Sequence, residues 1–515
     1  MNTIAPKPVV PQFSTGDRDL DKAFRIAMGD LFSCLVVTPK YGRMEKDDYV
    51  LTAGLDYGVW VRDSAINEWN GAGLLFPEYT RNSLLHGLEE DAGRLIIGMN
   101  SGQGWDNHVW TIGAWHHYLV TGDRAFLEMA FEATVNTLEF KERTEFDPRC
   151  NLFRCGALLG DGISSYPDVY ANCGGYAALV NWPQHNPQLV VKTGFGVPMH
   201  ALSTNCLYVE AYRLLTLMAA ELGRPIDPDW DIRSQAVKEA INALFWRSDA
   251  GLYRFLVDPL GNCDHQEGIG HALAILLGIA DARQRDAVFR NQYIAPAGIP
   301  ALWPTFERYT RYDGKMFPIQ HGQHYRPDAP KEREFASDGK HFGAHSGPVW
   351  PMVQGFWADA AATFGKIELF ESELRSLASK AYRDAQFAER YHPLTGEIYG
   401  GLQEGWWAYP VHEMLEWRSC ARQTWSATAY LRSILHGLVG MRFGLDGITF
   451  CPQLPNSLKE LSLGPLRYRD MALSFRITGS GSRVVRFSVN GQERTPHLLP
   501  INGKGQQEIV MELGT

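Results

Sequence analysis

The chain has 515 residues and a formal net charge of −9 at pH 7 without a basic block, which argues against nucleic acid or an anionic membrane as its main partner. Its composition, 45% hydrophobic and 21% charged, is that of a folded protein with one very large core or two to three ordinary ones. We see no membrane-spanning run and no signal peptide. We therefore expect a cytoplasmic protein that acts on a small molecule, and the sequence leaves a homo-oligomer open as its assembly state.

The eight cysteines are scattered, and most lie within apolar patterns, which predicts thiols rather than a disulfide framework. Cys150 and Cys155 are the pair whose spacing leaves a local disulfide open. The sequence has no CxxC motif and no histidine-rich cluster, so it predicts neither a metal site nor a cofactor.

A proline-rich, extended lead-in covers residues 1–16, and helical patterns with capping residues then dominate from 17 to 440. Gly122, for example, is placed to end one helix and Asp123 to cap the next. The periodicity predicts twelve helices, at 17–35, 60–73, 79–98, 107–121, 123–141, 200–222, 229–246, 267–280, 283–291, 346–364, 366–388 and 422–438.

Twelve helices in succession make six helical hairpins, which can close into a ring. The sequence therefore predicts a mainly α protein whose catalytic domain, 17–440, is an (α/α)6 barrel. An open solenoid is the alternative, but we find no repeat of fixed period that would support it. The connections 142–199 and 292–345 are too long for simple turns, and loops of that length are usually functional. Residues 441–515 alternate apolar and polar residues between turns, which predicts a small C-terminal antiparallel β module resembling a sandwich.

The segment FAERYHPLTGEIY at 387–399 is the most informative part of the chain, and GLQEGWWAYP at 401–410 follows it closely. Carboxylates mixed with indole rings suit a sugar site, because the rings stack on the apolar face of a pyranose while the acids bind hydroxyls or move protons. Glu389 is the leading carboxylate, and Glu397 and Glu404 are its rivals. We count Trp406 and Trp425 of this region among the candidate sugar-binding residues.

Glycosidic cleavage needs a carboxylic acid to protonate the leaving oxygen and a second carboxylate that acts on water or on the anomeric carbon. Asp161, in CGALLGDGISSYPDVY, is the first of our two candidates, because it follows an apolar run and lies between two glycines. A simple Gly-Asp-Gly turn with a capping aspartate is the alternative interpretation. Tyr166 lies in the same loop.

Tryptophans next to acids at two further helix starts could clamp a sugar ring, although the same acids and amides could simply cap the helices. Two more loops, PALWPTF at 300–306 and HFGAHSGPVWP at 341–351, add aromatic and histidine side chains. These additional candidates for substrate binding are Trp60, Arg62, Asp63, Trp105, Asp106, Asn107, His108, Trp303, His345 and Trp350.

These residues resemble those of the six-hairpin glycosidases, the clan of trehalases, processing α-glucosidases, mannosylglycerate hydrolases and glucoamylases. AERYHPLTGEIYGG followed by QTWSATAYL is the best-matching piece, and the likeness covers most of 17–438. The resemblance implies that Glu389 is the general base and Asp161 the general acid. The chain departs from the pattern at Arg390 and in having LLGDGISSYPD where trehalases and processing glucosidases have Gly-Trp-Asp-x-Ser.

By this resemblance the protein is an exo-acting, inverting hydrolase of a small α-linked glycoside. Inversion would place the two carboxyl groups about 6.5–9.5 Å apart, and burial among aromatic rings would raise the pKa of Asp161. Three alternatives stay open: a disaccharide phosphorylase on the same scaffold, an epimerase or lyase that uses His321 and His324, and a sugar-binding protein without turnover.

Overall fold

The protein is described here by a computed structural model. It describes residues 10–98, 103–171, 178–311, 315–319, 333–334, 341–404 and 414–514. Twelve helices of nine residues or more lie in these ranges, which confirms the number of helices that the periodicity predicts. They are α1 (Arg18–Ser33), α2 (Val61–Trp69), α3 (Pro77–His86), α4 (Asn107–Thr121), α5 (Arg124–Thr144), α6 (Leu202–Leu222), α7 (Pro228–Leu244), α8 (Gly268–Leu276), α9 (Ala282–Asn291), α10 (Pro351–Thr363), α11 (Ile367–Asp384) and α12 (Thr424–Arg432).

The even-numbered helices contact one another in turn, from α2 through α4, α6, α8, α10 and α12, and α12 contacts α2 again. All nine residues of α2 and all nine of α12 are buried, so these helices have no solvent-facing side. The odd-numbered α11 instead buries one stripe, including Phe370, Leu374 and Leu377, as expected of a helix on the outside of the core.

Glycines let neighbouring inner helices approach closely. A Cβ at Gly113 of α4 would lie 2.6 Å from the Cα of Ala65 in α2, and one at Gly355 of α10 would lie 2.7 Å from the Cβ of Ala429 in α12. The small residues are therefore needed at these contacts for packing.

Four predicted helices end at least four residues earlier than their sequence patterns indicate, among them α2, which stops at Trp69, and α8, which stops at Leu276. The helix predicted at 79–98 stops at His86, and the strands Leu88–Asp91 and Arg94–Ile97 form a hairpin instead. The hairpin turns at Ala92 and Gly93, which both have positive φ, as a two-residue hairpin turn requires. The helix predicted at 366–388 ends at Asp384, where Ala385 adopts a left-handed conformation. Glu389 therefore lies in the segment after the helix.

Other short elements connect the helices. A π-helical turn, Ser433–Leu438, continues α12, and four-residue helices occur at Trp182–His185 and Glu307–Thr310. The paired short strands are Leu35–Thr38 with Asp48–Leu51, Phe146–Asp147 with Leu152–Phe153, His200–Ala201 with Leu256–Val257, Trp246–Arg247 with Leu252–Tyr253, and Gln266–Glu267 with Leu302–Trp303. A four-stranded sheet has the order Arg333–Glu334, Lys315–Ile319, Met414–Trp417 and Leu402–Glu404.

The C-terminal residues form two sheets. Nine strands contribute: β1 (Gln12–Ser14), β2 (Met441–Gly444), β3 (Gly447–Phe450), β4 (Glu460–Tyr468), β5 (Met471–Thr478), β6 (Arg483–Val489), β7 (Gln492–Glu493), β8 (Leu498–Pro500) and β9 (Gly505–Gly514). The larger sheet has the order β1-β4-β5-β9-β6-β7, and the smaller has the order β2-β3-β8.

The prediction of a wholly antiparallel module is wrong in one pair, because β5 and β9 are parallel. The long return from β5 through β6, β7 and β8 allows this parallel pairing, which a tight hairpin could not make. The lead-in also contributes β1, which pairs with β4 at the edge of the larger sheet.

The seven described cysteines are free thiols, including Cys150 and Cys155, as the sequence predicts. Among the described residues, no helix is both long enough and apolar enough to cross a membrane.

Candidate active site

A cavity with about 470 Å³ of empty space, part of it open to solvent, lies where the N-terminal ends of the inner helices α2, α10 and α12 meet the loops between them. Trp60 directly precedes α2, Trp350 directly precedes α10, and Trp425 lies in the first turn of α12. The cavity is lined by Tyr57, Trp60, Arg62, Asp161, Gly162, His345, Trp350, Glu389, Arg390, Gln403, Trp417 and Trp425. Seven of the residues that the sequence analysis selects are in this lining, and both leading carboxylates are among them.

Glu389 is a buried carboxylate held by donors on both oxygens. Its Oε1 accepts from the hydroxyl of Tyr57 at 2.9 Å. Its Oε2 accepts from Arg390 at 2.8 Å and from the backbone N–H of Cys420 at 3.0 Å. Glu389 is 5% exposed, so this set of donors fixes the carboxylate at the cavity wall rather than leaving it in solvent.

Asp161 lies in the long loop between α5 and α6, and its side chain is 30% exposed. Arg62 Nη2 lies 3.3 Å from its Oδ2, and His345 Nε2 lies 2.8 Å from its Oδ1. Burial alone would raise the pKa of Asp161, but the charges of His345 and Arg62 outweigh burial and hold that pKa well below its ordinary value. The expected raised pKa is therefore wrong for the resting protein.

Arg62 joins the floor of the cavity to the Asp161 loop. Its Nη1 donates to Asp106 at 2.9 Å and to the carbonyl oxygen of Leu158 at 2.9 Å. Burial raises the pKa of Asp106 to about 7, although Arg62 opposes that rise. These contacts hold the loop that carries Asp161 against α2 and α4.

Asp63 lies beneath the cavity and outside its lining. Its Oδ1 accepts from Gln423 at 3.2 Å. Burial raises the pKa of Asp63 to about 8, Arg62 opposes the rise, and the negative charges of Glu389 and Asp161 add to it. Asp63 is therefore a supporting carboxyl group with a raised pKa.

The walls of the cavity are aromatic. The ring centroids of Trp350 and Trp425 are 5.7 Å apart, and His345 stacks on Trp350 at 5.2 Å. Trp60 packs on Tyr57 at 4.4 Å from the other side. Such a cavity offers apolar faces for a ring and carboxylates for its hydroxyls, which suits a sugar.

Three candidates from the start of α4 lie away from the cavity lining. Trp105 is buried against Phe195. Asn107 donates to the carbonyl oxygen of Ile97 at 2.8 Å and so holds the preceding hairpin. His108 is fully buried with its ring 4.1 Å from that of Tyr208, and burial lowers its pKa well below the ordinary value. These positions fit structural roles.

Tyr166 and Glu404 also lie outside the lining, but they support the Asp161 loop. Tyr166 donates to the carbonyl oxygen of Gly160 at 2.7 Å. Glu404 accepts from Arg308 at 2.7 Å, and Arg308 in turn donates to the carbonyl oxygens of Ile163 and Tyr166 at 3.1 and 2.8 Å. The two side chains therefore fix the backbone on either side of Asp161.

The remaining candidates are spread more widely. Trp303 stacks on Tyr293 at 4.3 Å outside the cavity lining, and Glu397 is exposed on the turn that follows Glu389. Trp406, and also His321 and His324, fall outside the residues that the structure describes.

The sequence analysis does not select four of the lining side chains: Tyr57, Arg390, Gln403 and Trp417. Tyr57 belongs to GLDYGVW. An aromatic residue followed by glycine, shortly before Trp60, is a signal that could have identified it as a site residue. Arg390 is treated there as a departure from a family pattern, whereas it is the ion-pair partner of Glu389. Gln403 and Trp417 lie on strands that also pair with segments far away in the chain, since Leu402 bridges Gly343 and Trp417 pairs with Ile319, and no local pattern reveals these pairings.

One group of metal-ligating side chains occurs among the described residues, away from the cavity. Donor atoms of Asp147, Cys150 and His200 all lie within 4.8 Å of one another. Arg149, however, donates to both oxygens of Asp147, at 2.9 and 2.6 Å, so this carboxylate is already paired with a cation. We therefore assign no metal to this group.

The helical core and the acid-lined aromatic cavity together define a carbohydrate-active enzyme of the helical glycosidase type. Residues 98–426, well over half of the chain, match the family model of the mannosylglycerate hydrolase MGH1-like glycoside hydrolase domain. The chain therefore belongs to this family of glycoside hydrolases, which confirms the resemblance to the six-hairpin glycosidases. No curated protein matches the chain.

Solved structures share the fold at low sequence identity. A sialidase is similar with a TM-score of 0.64 and 15% identity over 94% of this chain and 40% of its own. The GH78-family rhamnosidase of Bacillus sp. GL1 has a TM-score of 0.55 and 14% identity over 98% of this chain and 44% of its own. The GH63 mannosylglycerate hydrolase of Thermus thermophilus, in complex with Tris and D-glycerate, has a TM-score of 0.51 and 15% identity over 80% of this chain and 99% of its own. The chain thus spans less than half the length of the first two.

Proposed function

We propose that this protein is an exo-acting glycoside hydrolase built on a closed (α/α)6 barrel, and that it cleaves a small α-linked glycoside with inversion. The ring of contacts from α2 through α12 and back to α2 supports the barrel. The observation that carries the activity is that Asp161 and Glu389, from two separate loops, face one cavity with indole rings in its walls.

In this proposal Asp161 protonates the glycosidic oxygen while Glu389 takes a proton from the attacking water. Tyr57, Arg390 and the N–H of Cys420 hold Glu389 in place by hydrogen bonds. We still expect the two carboxyl groups to lie about 6.5–9.5 Å apart, which leaves room for a water on the far face of the sugar. Glu397 and Glu404 are weaker candidates for the base, because one is exposed and the other is paired with Arg308.

The cavity favours a neutral sugar unit over an anionic one. Arg62 is paired with Asp106 and Asp161, and Arg390 is paired with Glu389, so both arginines of the lining already face carboxylates. This pairing also favours water over phosphate as the acceptor. Indole rings of Trp60, Trp350 and Trp425 wall the cavity, which supports exo action on a small glycoside.

Proton NMR tests the proposal directly. The purified protein is mixed with α- and β-linked gluco, manno, galacto and rhamno disaccharides and small glycosides, with and without phosphate. We expect a free sugar without phosphate, with the first-formed anomer opposite to the bond cleaved. A sugar phosphate that forms only with phosphate would instead indicate a phosphorylase, and retention of configuration would contradict the assigned roles.

Matched variants test the two carboxylates. We expect Asp161→Asn and Glu389→Gln each to lower kcat by about 10²–10⁴-fold, the range for loss of a general acid or base. Glu397→Gln, on the exposed turn beside Glu389, is the control and should retain activity. Loss of activity in the Glu397 variant with full activity in the Glu389 variant would overturn the assignment of the base.

A further inference from the structure

Asp161 presents a chemical difficulty for a general acid. Its pKa is held well below the ordinary value by His345 and Arg62, although burial opposes this, so the resting carboxyl group is ionised at neutral pH. An ionised carboxylate has no proton to give to a glycosidic oxygen. A neighbouring side chain that carries a proton would meet this need.

His345 is placed to be that neighbour. Its Nε2 lies 2.8 Å from Asp161 Oδ1, and no donor among the described residues makes an aligned hydrogen bond to that oxygen. The imidazole N–H thus lies close to Oδ1 but off the line of an ideal hydrogen bond. Such catalytic contacts often become aligned only when substrate is bound.

Ser164 fixes the other side of the imidazole ring. Its Oγ lies 2.9 Å from His345 Nδ1 and also accepts the backbone N–H of His345 at 3.0 Å. The hydroxyl can donate to Nδ1 when the ring is neutral, and it can accept from Nδ1–H when the ring is an imidazolium. Ser164 and His345 are both buried, with the ring of His345 stacked on Trp350 at 5.2 Å, so the ring is held in one orientation.

We propose that Asp161 and His345 share one proton, with Ser164 orienting the ring, and that His345 supplies this proton to Asp161 in each turnover. The inference rests on the proposed hydrolase function. His345 acts through Asp161, so it is a positioning and proton-supplying residue rather than the acid itself.

The proton on Nε2 passes to Asp161 Oδ1 and from there to the glycosidic oxygen, as the bond from the anomeric carbon to that oxygen breaks and leaves its electron pair on the oxygen. A water oxygen bonds to the anomeric carbon and gives its proton to Glu389. Glu389 then releases that proton to solvent, and a proton from solvent restores the imidazolium. One water is consumed for each bond cleaved, and no net proton is gained or lost.

Other charged groups surround the pair and set its titration. Arg62 favours the ionised carboxylate, whereas nearby negative charges favour retention of the shared proton. Among the described residues, the charged or titratable side chains that the neighbouring elements bring to the cavity or directly beneath it are Tyr57 before α2, Arg62 and Asp63 from α2, Asp106 before α4, and Glu389 and Arg390 between α11 and α12.

Leaving-group dependence separates proton supply from a structural role. A glycoside of an acidic phenol needs little protonation of its leaving group, whereas an alkyl glycoside needs it fully. We expect His345→Gln to lower kcat for the alkyl glycoside by about 10²-fold and to lower kcat for the aryl glycoside much less. Asp161→Asn should show the same difference between the two substrates. The basic limb of the pH–rate profile should also move to lower pH, because a carboxyl group alone loses its proton more easily than the pair. Equal loss on both substrates with an unmoved limb would overturn the proposal.

A second measurement does not depend on turnover. Two-bond proton–nitrogen NMR of the protein labelled with ¹⁵N-histidine reports the tautomer and titration of His345, assigned by its disappearance in His345→Gln. We expect Asp161→Asn to shift this titration to lower pH, and His185→Gln, at an exposed position, to leave it unchanged. If the titration of His345 is the same in Asp161→Asn as in the wild-type protein, the two residues do not share a proton. If the wild-type protein cleaves no glycoside, the proposed function fails, while this spectrum still decides whether the pair exists.

Discussion

The ion pair between Arg390 and Glu389 makes a strong prediction about stability. Both side chains are nearly fully buried, and Arg390 Nη2 lies 2.8 Å from Glu389 Oε2. At that separation the attraction is about 6 kcal/mol for an effective dielectric constant of about 20. Desolvation of the two charges cancels part of this attraction, and removal of one partner from a buried pair typically costs about 3–5 kcal/mol.

Arg390→Met therefore should destabilise the protein by about 3–5 kcal/mol at neutral pH, because Glu389 is left as a buried charge and the ring of Trp350 loses the guanidinium that lies 5.0 Å above it. Glu389→Gln combined with Arg390→Met leaves no unpaired charge, so the double variant should be more stable than Arg390→Met alone. Arg418→Met removes an exposed arginine of a neighbouring segment and is the matched control.

Urea unfolding followed by tryptophan fluorescence measures these differences at several pH values. The destabilisation of Arg390→Met should shrink as the pH falls, because protonation of Glu389 removes the unpaired charge. The reasoning is refuted if Arg390→Met is as stable as Arg418→Met, or if its deficit does not depend on pH. Either result would mean that Glu389 does not carry a charge that Arg390 stabilises.

Two further predictions concern the helical core. Asp359 is buried 2.7 Å from Arg432 and 3.3 Å from Arg442, and although burial opposes it, these charges hold its pKa well below the ordinary value. A lowered folded pKa stabilises the protein above the unfolded value of about 3.9, so Asp359→Asn should cost about 3–5 kcal/mol at pH 7. The difference in denaturant midpoint between the wild-type protein and this variant should narrow as the pH falls below about 3.9. Gly113→Ala should cost about 1–3 kcal/mol because its Cβ meets the backbone of α2, whereas Gly29→Ala, which meets nothing within 4 Å in α1, should be neutral or stabilising by up to about 1 kcal/mol in the same assay.

Much of the helical architecture is readable from the sequence because local signals determine it. Gly122 ends α4 in a left-handed conformation, and the side chain of Asp123 accepts from the N–H of Phe126 at the start of α5, as predicted. The errors occur where two local signals compete. The run at 79–98 carries a helical pattern, but Ala92 and Gly93 form a hairpin turn that the pattern hides. The parallel pairing of β5 with β9 depends on contacts far apart in sequence, which no local signal contains.

The sequence likewise identifies only part of the candidate site, the part that local motifs determine. Aromatic-acid motifs at helix starts identify Trp60, Arg62 and Trp350 because inner helices bring their N-terminal ends together. A similar motif at the start of α4 contains Trp105 and His108, which are buried in the core. The same residue types therefore contribute to packing when their side chains point into the core. The hydrogen-bond partners of the site residues are even harder to predict from the sequence. Nothing in the local sequence connects Glu389 to Tyr57, which lies 332 residues earlier.

The surroundings of Asp161 show why composition alone misjudges the pKa of a candidate general acid. Burial among aromatic rings predicts a raised pKa, yet Arg62 of α2 brings a positive charge to Asp161, and His345 from the segment before α10 brings a second when its ring is protonated. When such charge outweighs desolvation, an ionised carboxylate and a cationic donor replace a neutral acid. In the proposed mechanism Asp161 still protonates the leaving oxygen but draws its proton from His345, 184 residues away in the chain, so a single titrating carboxyl group should not be found in the pH profile.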